Sequence, residues 1–125
     1  MEVVEIVKGV ILKQITSYAE KATVDRRKVQ LSLIIGEEGK AEAKMLVNYQ
    51  VADEVKIKSI LGFYSLMYGL VDSTICKSLK KFAAEYNVSE YDVFATFWLD
   101  KGDLTGWIYV NDEAKKKIAI EDILV

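Results

Sequence analysis

Histidine and proline are missing from this chain altogether, and cysteine occurs once, at Cys76. The missing imidazole matters most. It excludes every mechanism that uses histidine as base, acid or metal ligand. A single cysteine allows no disulfide within one chain, which fits a reducing compartment. A large excess of basic residues is also lacking: the formal net charge is −2 and the sequence pI is about 5.2. Domains that bind mainly by neutralising phosphates are usually strongly basic, so this balance argues against that class.

Long apolar runs are absent too. The longest uncharged stretch, SILGFYSLMYGLV, covers Ser59 to Val71 and is too short to span a bilayer as a helix. The opening MEVVEIVKGVILKQ carries Glu2 and Glu5 where a signal peptide needs positive charge. These features predict a cytoplasmic protein with no membrane partner. What is present is a core: 51% of the 125 residues are hydrophobic, enough for one domain spanning 1–125 without disulfide support.

Shifted by 64 residues, the chain matches itself. Val7 falls on Val71, Ile11 on Ile75, Lys13 on Lys77, Ala19 on Ala83, Val24 on Val88 and Val29 on Val93. Beyond the next turn the shift becomes 63, and Gly39 meets Gly102, Val47 meets Val110 and Asn48 meets Asn111. Ile57, Ile60 and Leu61 then meet Ile120, Ile123 and Leu124. The matches keep order through several elements, which points to an internal pseudo-repeat of 1–62 and 65–125.

Each copy reads as a helix followed by three strands. Val4, Val7, Ile11, Ile15, Tyr18 and Ala22 recur at helical spacing, as do Met67, Val71, Ile75, Leu79, Phe82 and Tyr86. Leu66, Tyr68 and Leu70 widen the second stripe. In KVQLSLII, Val29, Leu31, Leu33 and Ile35 share a face; in EAKMLVNY, Ala43, Met45, Val47 and Tyr49 do. EVKIKSIL completes the first copy, and YDVFATFWL, LTGWIYVN and KKKIAIEDIL form the second. The alternative for Val55 to Val71 is a backward extension of the second helix, and the same alternative attaches to the C-terminus. The predicted fold is α+β: tandem αβββ units forming an antiparallel or mixed sheet of about six strands, with two helices on one face.

Parity then singles out one surface. Opposite the core face, copy one carries Gln30, Ile34, Lys44 and Leu46; copy two replaces them with Phe94, Trp98, Trp107 and Tyr109. Each aromatic can bury about 150–250 Å², so the patch approaches 600 Å², more apolar surface than monomers usually expose. The asymmetry assigns support to the first half and binding to the second. A bulge at Gly106 would shift the parity and remove the patch.

Other candidates read as structural. Asp100 and Asp103 flank the DKGD turn, and Glu37 and Glu38 occupy the matching turn, neither with enough oxygens for calcium. Gly36 and Gly39 lack the lysine and following helix of a phosphate loop. Cys76, mid-helix, reads as a packed thiol, with Lys77 and Lys80 as the features that would activate it. Asn48 and Asn111 end strands. Arg26 and Arg27, and Lys115, Lys116 and Lys117, are accessory basic residues beside the aromatic face. No catalytic constellation, metal site or cofactor motif emerges.

The sequence thus predicts a small, non-catalytic binding or adaptor protein. Its aromatic face forms a homodimer or holds another protein. The alternative is a single-stranded nucleic-acid or nucleotide-binding module, since such modules stack bases on sheet aromatics.

Overall fold

The computed structural model describes residues 3–55 and 65–124, with side chains over 4–52 and 71–124. Its elements are α1 (Val3–Ala22), β1 (Val29–Ile35), β2 (Ala41–Val47), β3 (Gln50–Val55), α2 (Ser65–Glu85), β4 (Val93–Asp100), β5 (Asp103–Val110), β6 (Glu113–Ile118) and α3 (Glu121–Leu124). The strands form one antiparallel sheet in the order β3-β2-β1-β4-β5-β6, so β1 and β4 pair at its centre. The fold is α+β, and no helix among the described residues is long and apolar enough to cross a membrane.

Alternation sets the core. Val29, Leu31, Leu33 and Ile35 of β1 and Val93, Ala95, Phe97 and Leu99 of β4 are all buried. They share a single cluster with Val7, Ile11, Ile15 and Ala19 of α1 and with Val71, Ile75, Leu79 and Phe82 of α2. Val4 and Tyr18 pack on its margin, while Ala22, at the helix end, is exposed. Met67 and the widened stripe of Leu66, Tyr68 and Leu70 lie outside the residues whose side chains are described.

Helix α1 stops through its backbone. Thr23 takes a left-handed φ of 57°, Val24 N–H reaches back to Ala19 O at 3.0 Å and Thr23 N–H to Glu20 O at 3.2 Å, the Schellman pattern. Helix α2 stops in the same way 64 residues later: Asn87 has φ 56°, and Val88 and Asn87 donate to Ala83 and Ala84. A 3-10 turn follows each helix. Asp25 caps Arg26–Lys28 by accepting from Arg27 N, and Ser89 caps Glu90–Asp92 by accepting from Tyr91 N.

The hairpins recur as well. Asn48 and Tyr49 are both left-handed, as are Asn111 and Asp112 and also Lys101 and Gly102, the backbone that tight two-residue connections require. Pairing is irregular at Met45/Leu46 and again at Ile108/Tyr109. Between Ile35 and Ala41 the chain takes five residues, whereas between the equivalent Leu99 and Leu104 it takes four. That single residue is the change of shift from 64 to 63.

Two expectations are corrected here, and one alternative is closed. The third strand is Gln50–Val55, earlier than EVKIKSIL suggested; residues 56–64, including Ile57, Ile60 and Leu61, lie outside the described residues. The C-terminal strand ends at Ile118, and Glu121–Leu124 turns helical, with Ile123 and Leu124 buried. Gly106 is no bulge. The β4–β5 register runs unbroken from Val93↔Val110 to Asp100↔Asp103, so the predicted parity stands. Glycine is needed there for another reason: a Cβ at Gly106 would lie 2.5 Å from the Phe97 ring.

Candidate binding face

On the side of the sheet opposite the core, the pairing registers lay side chains in three rows across the strands. Val51, Leu46, Gln30, Trp98 and Thr105 form the first. Lys44, Ser32, Thr96, Trp107 and Lys117 form the second. Glu42, Ile34, Phe94, Tyr109 and Ala114 form the third. Phe94, Trp98, Trp107 and Tyr109 therefore stand together on β4 and β5, each half-buried, while the strand residues pointing the other way are buried.

The aromatics have defined geometry. Phe94 and Tyr109, directly opposite on neighbouring strands, stack with centroids 4.9 Å apart and planes within 3°. Burial pushes the Tyr109 phenol above its ordinary pKa, with a smaller push from Tyr49.

Tyr49 is the residue that sequence reasoning placed wrongly. Expected beside Met45 and Val47 on the inward face of β2, it instead occupies the β2–β3 turn at φ 65°. There its ring meets Trp98 edge-on at 6.4 Å while remaining 58% exposed. Its backbone N–H donates to Gln30 Oε1 at 2.8 Å, which pins the turn to the centre of the face. With Val51, 61% exposed on β3, it carries the apolar surface into the first half. The signal available in the sequence was Asn48, a residue that tolerates left-handed backbone and so marks a turn starting one residue early.

Beneath the aromatics lies a polar floor. Gln30, Ser32 and Thr96 are buried on this face, and Ser32 Oγ and Thr96 Oγ1 hydrogen-bond at 2.8 Å. Among the described residues no buried side-chain polar atom lacks a partner. The buried floor is therefore satisfied.

The basic residues are divided. Arg27 is committed to Asp25, at 2.7 Å, and with Arg26 it lines a cleft at the end of the sheet with Leu99, Lys101 and Gly102. Lys115 pairs with Glu113. Lys116 lies 5.4 Å from the centroid of the Phe82 ring, near Glu85. Of these five, only Lys117 joins the face, opposite Trp107.

Asp103 and Cys76 have structural partners. Asp103 pairs with Lys8 at 3.1 Å and accepts from Leu104 N–H. Cys76 is buried, its thiol aimed at Gly39 O at 3.5 Å. Burial, and then the Asp72 charge, pushes the Cys76 pKa up, so its reactive thiolate is disfavoured. Among the described residues no cluster of Cys, Asp and Glu stands close enough to hold a metal ion.

Comparison with protein-family models, with curated proteins and with solved structures gives no match.

Proposed function

We propose that this chain is a non-catalytic binding protein that pairs with a second copy of itself through the outer face of its sheet. Phe94, Trp98, Trp107 and Tyr109 are the anchors. The observation that carries the reading is the row geometry: four aromatics are neighbours, half-exposed, on the face away from the core.

Area supports a copy of the same sheet as the occupant. Six strands about 4.8 Å apart, each about seven residues long at ~3.3 Å per residue, cover roughly 650 Å². Standard-size interfaces take about 600–1,000 Å² from each partner, and this face reaches the lower part of that range. Face-to-face sheets pack about 10 Å apart, and their inner side chains interdigitate, which would finish burying the aromatics. The edges suit this mode better than strand addition, since β6 carries Lys115, Lys116 and Lys117 and charged edges resist pairing.

The same reading includes a duplicated αβββ unit, 1–62 and 65–125, with both long helices on the core side. The recurring Schellman ends, capped 3-10 turns, tight hairpins and register irregularities support it.

Sedimentation equilibrium tests the pairing. The wild-type chain should be a dimer, and Trp98→Ser/Trp107→Ser a monomer with an unchanged far-ultraviolet circular dichroism spectrum. Thr105→Lys, which adds a charge to the face and removes no aromatic, should also dissociate it. An unfolded double variant would mean that the tryptophans are core. A wild-type monomer whose tryptophan emission is quenched by an oligothymidylate would replace this reading with single-stranded nucleic-acid binding.

A further inference from the structure

The two ends of the sheet carry opposite charge. Because β1 and β4 run antiparallel, their C-terminal ends lie at opposite ends of the sheet. Beside the end of β4 lie the 3-10 turn Arg26–Lys28 and the Lys101–Gly102 turn. Beside the end of β1 lie the 3-10 turn Glu90–Asp92 and the turn with Glu37 and Glu38. The repeat relates these ends, and it inverts them: Arg26 corresponds to Glu90, Lys28 to Asp92 and Lys101 to Glu38. Local pairing leaves the contrast in place. At the first end Asp25 is held by Arg27 and Asp103 by Lys8, so Arg26, Lys28 and Lys101 outnumber Asp100 and Glu121, whose charge also reaches Lys8. At the second, Lys80 offsets Glu90, and Glu37, Glu38, Asp92 and the nearby Asp112 outnumber Lys40.

This polarity selects how two faces meet. A two-fold dimer with outer faces opposed needs an axis lying in the plane between the sheets. An axis along the strands brings basic end to basic end and acidic end to acidic end. An axis across the strands brings each basic end to the partner's acidic end. It also lays β4 and β5 over the same strands of the partner, aromatic on aromatic. From the polarity and the rows together, we infer that the second copy sits with its two-fold axis across the strands, above the row of Ser32, Thr96 and Trp107. Trp107 then meets the partner's Trp107 near the axis, and Trp98 meets the partner's Phe94 and Tyr109. Lys117 lies on the edge strand β6, where a long side chain reaches water, and Lys44 lies one strand in from the other edge. The inference rests on the proposed self-pairing and adds its orientation and its electrostatic selectivity.

The test is dimer affinity by sedimentation as salt rises from about 20 mM to about 500 mM, which screens exposed charge. Complementary ends predict a dimer that weakens with salt. Arg26→Glu/Lys28→Glu, acidic at both ends, should dimerise about tenfold more weakly at low salt, and like the wild type at high salt. Mixing it with Glu38→Lys/Asp92→Lys, basic at both ends, should restore affinity in the heterodimer, which shows that both variants are folded. A dimer that tightens with salt, or that ignores Arg26→Glu/Lys28→Glu, would overturn the orientation while leaving self-pairing intact. A wild-type monomer at every salt concentration would overturn the self-pairing itself.

Discussion

Ser32 and Thr96, 64 residues apart in the chain, share a buried hydrogen bond of 2.8 Å where they face each other in the β1–β4 ladder. They are also each other's equivalents under the 64-residue shift. In the central ladder Gln30 pairs with Trp98, Leu31 with Phe97 and Ser32 with Thr96, so the two halves read in opposite directions from this pair. Within the β1–β4 ladder it is the one pair in which a residue faces its own counterpart, and a pseudo-two-fold between the halves would pass through it.

Breaking that pair has a directional consequence. Ser32→Ala leaves the Thr96 hydroxyl, in a residue only 1% exposed, without its partner, which should cost about 1–3 kcal/mol. Ser32→Ala/Thr96→Val removes both hydroxyls and should recover much of the loss. Urea unfolding of the two single variants and the double variant measures this, and a double variant as unstable as the sum of the singles would contradict it.

Gly106 and Phe97 face each other across β4 and β5. The Cβ of Gly106→Ala would sit 2.5 Å from the Phe97 ring, with Ile118 on its other side. The ring is fully buried and has nowhere to retreat. The substitution should destabilise by about 1–3 kcal/mol, the usual range for overpacking, and Gly106→Ala/Phe97→Leu should be milder than Gly106→Ala alone. Thermal or urea denaturation decides.

Much of this was legible in the sequence, because alternation is a strong signal where one face is fully buried. Val29 to Ile35 and Val93 to Leu99 are such strands, and their parity placed Phe94 and Trp98 on the outer face. Tyr49 escaped because a tight turn, rather than alternation, decides its direction, and its only trace was the preceding Asn48. Strand β3 escaped because Gln50 to Val55 has little apolar alternation; its identity comes from pairing with β2. Gly106 left a bulge open because glycine in a strand has two common causes, and only the neighbouring strand, with Phe97 opposite, distinguishes them.

The Lys8–Asp103 pair gives a pH dependence with a fixed sign. The Lys8 hydrogen bond, then the Leu104 N–H and the Lys8 charge, hold the Asp103 carboxyl below the ordinary Asp value of 3.8. A depressed folded-state pKa gives stability that is present above the unfolded pKa and lost as pH falls through the folded one. Asp103→Asn should therefore be less stable than the wild type above about pH 4, and the two should converge as pH falls below 3.8. Because the pair is solvent-exposed, the gap should shrink with added salt. Melting temperatures of both proteins across the acid range provide the comparison.

Phe94 and Tyr109 stack almost parallel across β4 and β5, and a double-mutant cycle can measure what that contact contributes. Aromatic pairs couple by about 0.5–1.5 kcal/mol beyond simple burial. Phe94→Leu and Tyr109→Leu should each destabilise the chain, and the double variant should fall short of their sum by about that amount. The cycle also separates folding from association when it is run on a monomeric background such as Thr105→Lys. There the coupling reports the stack within one chain. If the proposed pairing holds, the same substitutions in the wild-type background weaken dimerisation as well, because the Phe94–Tyr109 platform is then part of the surface that the partner covers. Coupling that is identical in both backgrounds, with dimer affinity unmoved, would confine these two rings to a structural role and remove them from the interface.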